Sequence, residues 1–505
     1  MSAPRAPRRD LLRRALVLIT VPAVTGLVLT GCGGSSGSTS SAGTSSSASA
    51  TATSPSPGGA PGNGGQGGGG QGGTPPSGAP GGSGGAPGNG GGAPGGAPGG
   101  SSATYPAKGA YTLASGSATK SGTVTSGAKD MSGVLVTGGW LVLQDAKVVT
   151  TGASSSSDES SFYGLNAGAL VKSGTLTMTG GSVTTSGDGA NGVFAYGSAA
   201  HIAVTGTTVQ ATGQYAHGIM TSGGGQITAA GLSVTTTGGS SAPIATDRGG
   251  GTITVTGGRY HSTGSNSPAI YSTGAITATG GAYSSTGSEV VVIEGSNSVI
   301  LTNAALTTSK AGKWGVMIYQ SMSGDASGGK GVYTQTGGSL SETASDSPLF
   351  YVTNSTGTIT LTGVTVKAAG GTLVKATAGQ WGTSGSNGGT ANILATRQAL
   401  TGSLVADAVS ALSLRLTDGS TLSGAIDTAD TAKSAALALD GTSTWNVTAT
   451  SHLTTLAGAT VSGSSITNIH GNGHTVSDDA AAAANSYLKG RTYSLASGGT
   501  LVPAT

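Results

Sequence analysis

The chain has 505 residues, 95 of them glycine, with 4% aromatic side chains and a formal charge of +3. Five arginines and one aspartate of that balance sit in the first 31 residues, and the remainder sets 17 basic against 18 acidic side chains. A near-neutral body with 8% charged residues has no basic stripe, which excludes nucleic acid as a partner, and a single cysteine excludes an intrachain disulfide.

Residues 1–31 read as an export signal. Arg5, Arg8, Arg9, Arg13 and Arg14 form a basic region, and Ala15 to Leu29 is an apolar stretch too short for a comfortable membrane span. It ends in Leu29-Thr30-Gly31-Cys32, which resembles the bacterial lipobox. That resemblance implies lipidation at Cys32 and a mature chain held by membrane lipid on the outer face of the cell membrane. Two acyl chains hold far better than one, at about 0.8 kcal/mol per buried methylene. Arg8-Arg9 followed by Asp10-Leu11-Leu12 is similar to a twin-arginine export motif.

Residues 32–104 are almost entirely Gly, Ser, Pro, Ala and Thr, with no charged side chain before Lys108. So little apolar surface does not offset the entropy of ordering, so a disordered linker is expected. As a coil it averages ~45–50 Å end to end, which suits a spacer.

A period of about 25 residues follows. Thr175-Leu176-Thr177-Met178-Thr179, Thr252-Ile253-Thr254-Val255-Thr256 and Thr358-Ile359-Thr360-Leu361-Thr362 are versions of one alternating strand. A fixed period containing period-2 strands is the signature of a β-solenoid, whose coils bury a core only by stacking. The inward anchors are read as Val193, Ile219, Ile244, Ile270 and Ile293. A second row is Val183, Val209, Val234, Tyr260 and Tyr283, and a third runs Leu176, Ile202, Ile227, Ile253, Ile276, Val299 and Ile359. Three apolar rows predict three short strands per coil. Gly187, Gly213, Gly238, Gly264 and Gly287 are expected at corners, where a residue without Cβ turns cheaply. Asp158-Glu159 are assigned to a Ser-rich loop. From about Ala391 the coils shorten, with Leu404, Ile426 and Val447 as anchors. Residues 105–475 are thus read as a parallel β-helix, and 476–505, with alanines at 480–484, as its C-terminal cap. Roughly 16 coils at ~4.8 Å predict a stack ~75–80 Å long.

These rows resemble the secreted right-handed parallel β-helix proteins of the pectin-lyase-like superfamily, and within it the adhesin-like and autotransporter-passenger-like members. The resemblance implies an all-β, right-handed solenoid. It also raises catalysis, since pectate lyases and polygalacturonases belong to that group: the lyases bind calcium with clustered carboxylates and use an arginine base, and the hydrolases use three aspartates. The coils contain no Asn-Thr-Asp, no Asp-Asp pair and no Gly-His-Gly. If there were catalysis, Asp247, Arg248 and Glu294 would be its place. No catalytic residue, metal ligand or cofactor is assigned. His470-Gly471-Asn472-Gly473-His474 reads as a solvated turn rather than a metal site.

The residues following the anchors, Phe194, Met220, Ala245, Tyr271 and Glu294, continue to Tyr319 and Tyr351. They are expected to form an outward ladder resembling a sugar-binding platform, where flat rings stack on pyranose faces. Asp247, Arg248 and Gln320 would flank it, and the loops Gln320–Lys330 and Gly379–Ser384 would supply lips. A second outward face carries Thr-x-Thr ladders that resemble those of ice-binding solenoids, although threonine is also the ordinary choice for an exposed strand position. The leading expectation is a lipid-anchored, adhesin-like surface protein that binds a polysaccharide or another surface component without catalysis. A polysaccharide lyase or glycoside hydrolase is the alternative, and a structural envelope spacer the third. The sequence leaves the oligomeric state open.

Overall fold

In the strand Gly251–Thr256, Ile253 and Val255 are buried while Thr252, Thr254 and Thr256 are exposed. That alternation, repeated coil after coil, builds the fold. The computed structural model describes residues 106–504, so the export signal, Cys32 and the linker at 32–104 lie outside the described residues. From Lys108 onward the chain winds as an all-β parallel solenoid of about 16 right-handed turns. A representative coil comprises Val193–Tyr196, Ala200–Thr205 and Thr208–Ala211, and the next coil repeats it with Ile219–Ser222, Gly225–Ala230 and Ser233–Thr236. Stacking generates a first sheet of 12 strands, a second of 14 and a third of 10.

The second and third apolar rows hold. Ile202 pairs with Leu176 and Ile227, and Val209 with Val183 and Val234. The third row also contains Tyr333, which pairs with Val299 and Ile359. The anchor row needs one correction: Ile270 pairs with Val291, and Ile293 pairs with Ser272. The corner between Tyr283 and Val291 is two residues shorter than that between Tyr260 and Ile270, so the first-sheet register advances early. Val447 is likewise not on the Leu404–Ile426 row but pairs near Gly424 in a fourth sheet. That sheet takes over where the third stops: the third ends with Thr365–Ala368, and the fourth begins with Ala399–Thr401.

Glycines turn the corners for two separate reasons. Between second and third strands most coils pass through one or two left-handed residues, for example Gly206, Gly231 and Gly257 at φ 61–62°, with Asn303 and Asp418 serving elsewhere. Gly187, Gly213, Gly238 and Gly264 are not left-handed. They stack directly, and a Cβ on Gly213 would strike the carbonyl oxygen of Gly187. Close approach of backbones, not a special φ, requires them.

The ends differ. At the C-terminal end the 3-10 helix Ala483–Leu488 leads into Tyr493–Ala496 and Thr500–Ala504, which pair antiparallel, and Leu488 and Tyr493 are buried. At the other end, Lys120 points to the interior side of the first coil and holds its ammonium 4.7 Å from the centroid of the Tyr111 ring. An inward charge on an edge blocks pairing with another chain. Among the described residues, no helix is long and apolar enough to cross a membrane.

Candidate functional site

From Met131–Val136 to Phe350–Thr353 the first sheet is buried on both faces. Its inner side joins the main core. Its outer side forms a second apolar layer containing Leu170, Phe194, Met220, Tyr271, Met317 and Tyr351, with Trp314 and Trp381 packed against it. Strands covered on both faces read as continuous apolar runs, and Val290-Val291-Val292-Ile293 is one.

This places the sequence-predicted site residues together, but not as an exposed platform. Phe194, Tyr271 and Glu294 are 0% exposed, Tyr319 1% and Tyr351 6%. They also form two rows rather than one. Tyr271 pairs with Val292 and Tyr351 with Met317, whereas Glu294 pairs with Tyr319. The cover comes from three insertions. One is Gln320–Gly329, a strap at the end of a first-sheet strand. Another is the Gly379–Ser384 loop, whose Trp381 lies 4.9 Å from Tyr319 between ring centroids. The third is the α-helix Ser157–Tyr163, where a loop was expected around Asp158 and Glu159. Ser156 caps that helix by accepting from the Glu159 backbone N–H. The sequence Ser156-Ser157-Asp158-Glu159 is a capping-box signal that marks the helix start.

Under the strap lies a charged network. The Glu294 carboxylate accepts the hydroxyls of Tyr271 at 2.6 Å, Tyr319 at 2.7 Å and Ser321. Burial, then the Glu294 charge, pushes both phenols well above their ordinary range. Asp247 is fully buried; one oxygen accepts the Arg248 backbone N–H at 2.7 Å, and the other has no partner. Burial first, then the Asp325 charge, holds its carboxyl well above the usual carboxylate range. Arg248 donates through Nε at 3.2 Å and Nη2 at 2.8 Å to one oxygen of Asp325. Its guanidinium also sits 3.8 Å over the Phe162 ring. Gln320 holds the strap closed on itself through the Ala326 carbonyl at 3.0 Å.

Beside the strap a cleft of about 910 Å³ opens over the turns that join the first and second sheets. Tyr163, Tyr196, Lys172, Arg248, Asn297 and Asp325 supply its polar and aromatic lining. Tyr163 and Tyr196 meet edge to face at 5.3 Å, and the Lys172 ammonium stands 5.5 Å from the Tyr196 centroid. Of the ladder and its flanking residues, only Arg248 lines this space, with a side chain 41% exposed, while the expected lip loop contributes Gly324, Asp325, Ala326 and Ser327. Sequence reasoning missed Phe162, Tyr163, Lys172, Tyr196 and Asn297 because they come from the helix and from strand ends outside the aligned rows. The capping box was the one local signal for part of that set.

Chemically, the cleft offers the Lys172 ammonium, the Arg248 guanidinium paired with Asp325, two phenol rings and several amide or hydroxyl groups, while Asp247 and Glu294 are sealed beneath it. Among the described residues, no group of three or more His, Cys, Asp or Glu side chains is placed to hold a metal ion. No protein-family profile, no curated protein and no solved structure matches the chain.

Proposed function

We propose that this is a lipid-anchored, adhesin-like protein of the cell surface, tethered through Cys32, which takes a polysaccharide or another envelope component into the cleft without transforming it. The lining carries the proposal. Tyr163 and Tyr196 offer ring faces and edges to a sugar, and Lys172 and Arg248 favour acidic substituents on it. The sealing of Asp247 and Glu294 supports binding over hydrolysis, because a general acid or base must come within hydrogen-bond reach of the bond it cleaves. The solenoid supplies a rigid support, as binding loops on rigid scaffolds require.

The test is a glycan and envelope-polymer array probed with the mature chain and with a Tyr196→Ala/Lys172→Met variant. Saturable binding lost in the variant is expected. Binding that survives the variant would remove the cleft from the proposal. Silence on every polymer would leave a spacer, and release of reducing or unsaturated sugar would make the protein an enzyme.

A further inference from the structure

The outer face of the second sheet is a two-dimensional grid of threonines. One row runs from Thr179 through Thr205, Ala230, Thr256 and Thr279 to Thr362, and a neighbouring row two residues earlier in each strand runs from Thr177 to Thr360. Of the 16 positions in these eight strands, 13 are threonine; the exceptions are Ala203, Ala230 and Ile300. None is charged. Thr254, Thr256, Thr277 and Thr279 are all exposed. Strand spacing sets one repeat at ~4.8 Å, and alternate residues along a strand set the other at ~6.7 Å. Branching at Cβ restricts each side chain at χ1, so neighbouring hydroxyl and methyl groups present themselves alike.

We infer that this face docks onto ice. A soluble glycan or peptide is read by a few directional groups, which a repeating hydroxyl–methyl surface does not supply. A grid rewards a partner that is itself a lattice, because each added coil adds one more equivalent weak contact and the contacts act together. The oxygens of ice repeat in two directions at distances comparable to these. The hydroxyls can join that lattice while the methyls sit between its sites. A crystalline polysaccharide is the other solid of this kind, but its flat sugar faces call for rings. The exposed aromatic on this face, Trp140, stands near the N-terminal end, where its Nε1 donates to Thr177 at 3.1 Å. The inference is independent of the cleft, which opens at the corner between this sheet and the first.

Ice crystals grown in the purified mature chain should become faceted, with a hysteresis gap that rises with protein concentration. Thr254→Lys/Thr277→Lys places two charges in the grid at exposed positions. It should raise the concentration needed to block recrystallisation by about tenfold or more, while the circular dichroism spectrum and thermal midpoint stay as in the parent. Gln210→Lys, on the third sheet, should change nothing. Rounded crystals without hysteresis, or a double variant as active as the parent, would overturn the inference. Retention on crystalline cellulose or chitin powder, lost in the same variant, would assign the face to a polysaccharide solid instead.

Discussion

The Tyr271 hydroxyl donates to the buried Glu294 carboxylate at 2.6 Å from the neighbouring coil, and Tyr319 closes the same carboxylate from the other side at 2.7 Å. A buried carboxylate stripped of a donor loses more than the mean value of a hydrogen bond. Tyr271→Phe should therefore cost about 1–3 kcal/mol, read as a lower denaturant midpoint. Tyr271→Phe/Tyr319→Phe should cost less than the two singles added, because both phenols serve one carboxylate. Strict additivity would mean the two bonds do not share their acceptor.

Acid should weaken the stack through His217. Burial holds its imidazole down at about 4, and its Nδ1 accepts the Ala242 backbone N–H at 2.9 Å. The folded pKa lies below the unfolded value of 6.5, so the stability is fully present above pH 6.5 and is lost as the pH falls toward 4. The span corresponds to about 3 kcal/mol. His217→Asn should flatten that part of the stability–pH curve. Glu342 works the opposite way: burial raises it to about 7, so its contribution is present below pH 4.5 and is lost as the pH rises through 7. Glu342→Gln should remove the decline on the neutral side. Unchanged curves in both variants would contradict these assignments.

The two classes of corner glycine should respond differently. Gly213→Ala drives a methyl into the Gly187 carbonyl, an overpacking worth about 1–3 kcal/mol. Gly231→Asn meets open space at φ 62°, a conformation asparagine tolerates, and should be near neutral. Equal thermal shifts would show that the stacking explanation of Gly213 is wrong.

Lys120 guards the N-terminal end. Lys120→Met removes the inward charge over Tyr111 and leaves three first-coil strands as an apolar edge, so the variant should self-associate in sedimentation velocity at concentrations where the parent does not. A variant with the parent's sedimentation profile would show that the edge is blocked by something other than this charge.

Three apolar rows per coil were legible because the interior demands strict alternation, as in Ile253 and Val255. The Val291–Ile293 register was not, because Val290 to Ile293 is apolar throughout and both faces are buried. No alternation remained to say which valine faces the core. The same burial misled the aromatic row. Phe194 and Tyr271 do point away from the core, as their period implies, but three insertions cover them, and coil spacing carries no trace of insertions. Of the ladder and its flanking residues, only Arg248 reaches the cleft. The aromatic and charged side chains of the cleft, such as Tyr163, Lys172 and Tyr196, share no period, so no pattern along the chain joins them.

In a stack where each turn touches only the next, strain at one end can peel turns away singly. The bond between Arg248 and Asp325 joins chain positions 77 residues apart, and Ser222 reaches back 60 residues to the Phe162 carbonyl. Both stitches skip intermediate turns. Arg248 also stacks on Phe162, which links the two stitches, so a pull along the stacking direction must tear Phe162 through Asp325 as one block. Under load, the turns on either side of that block would yield before it.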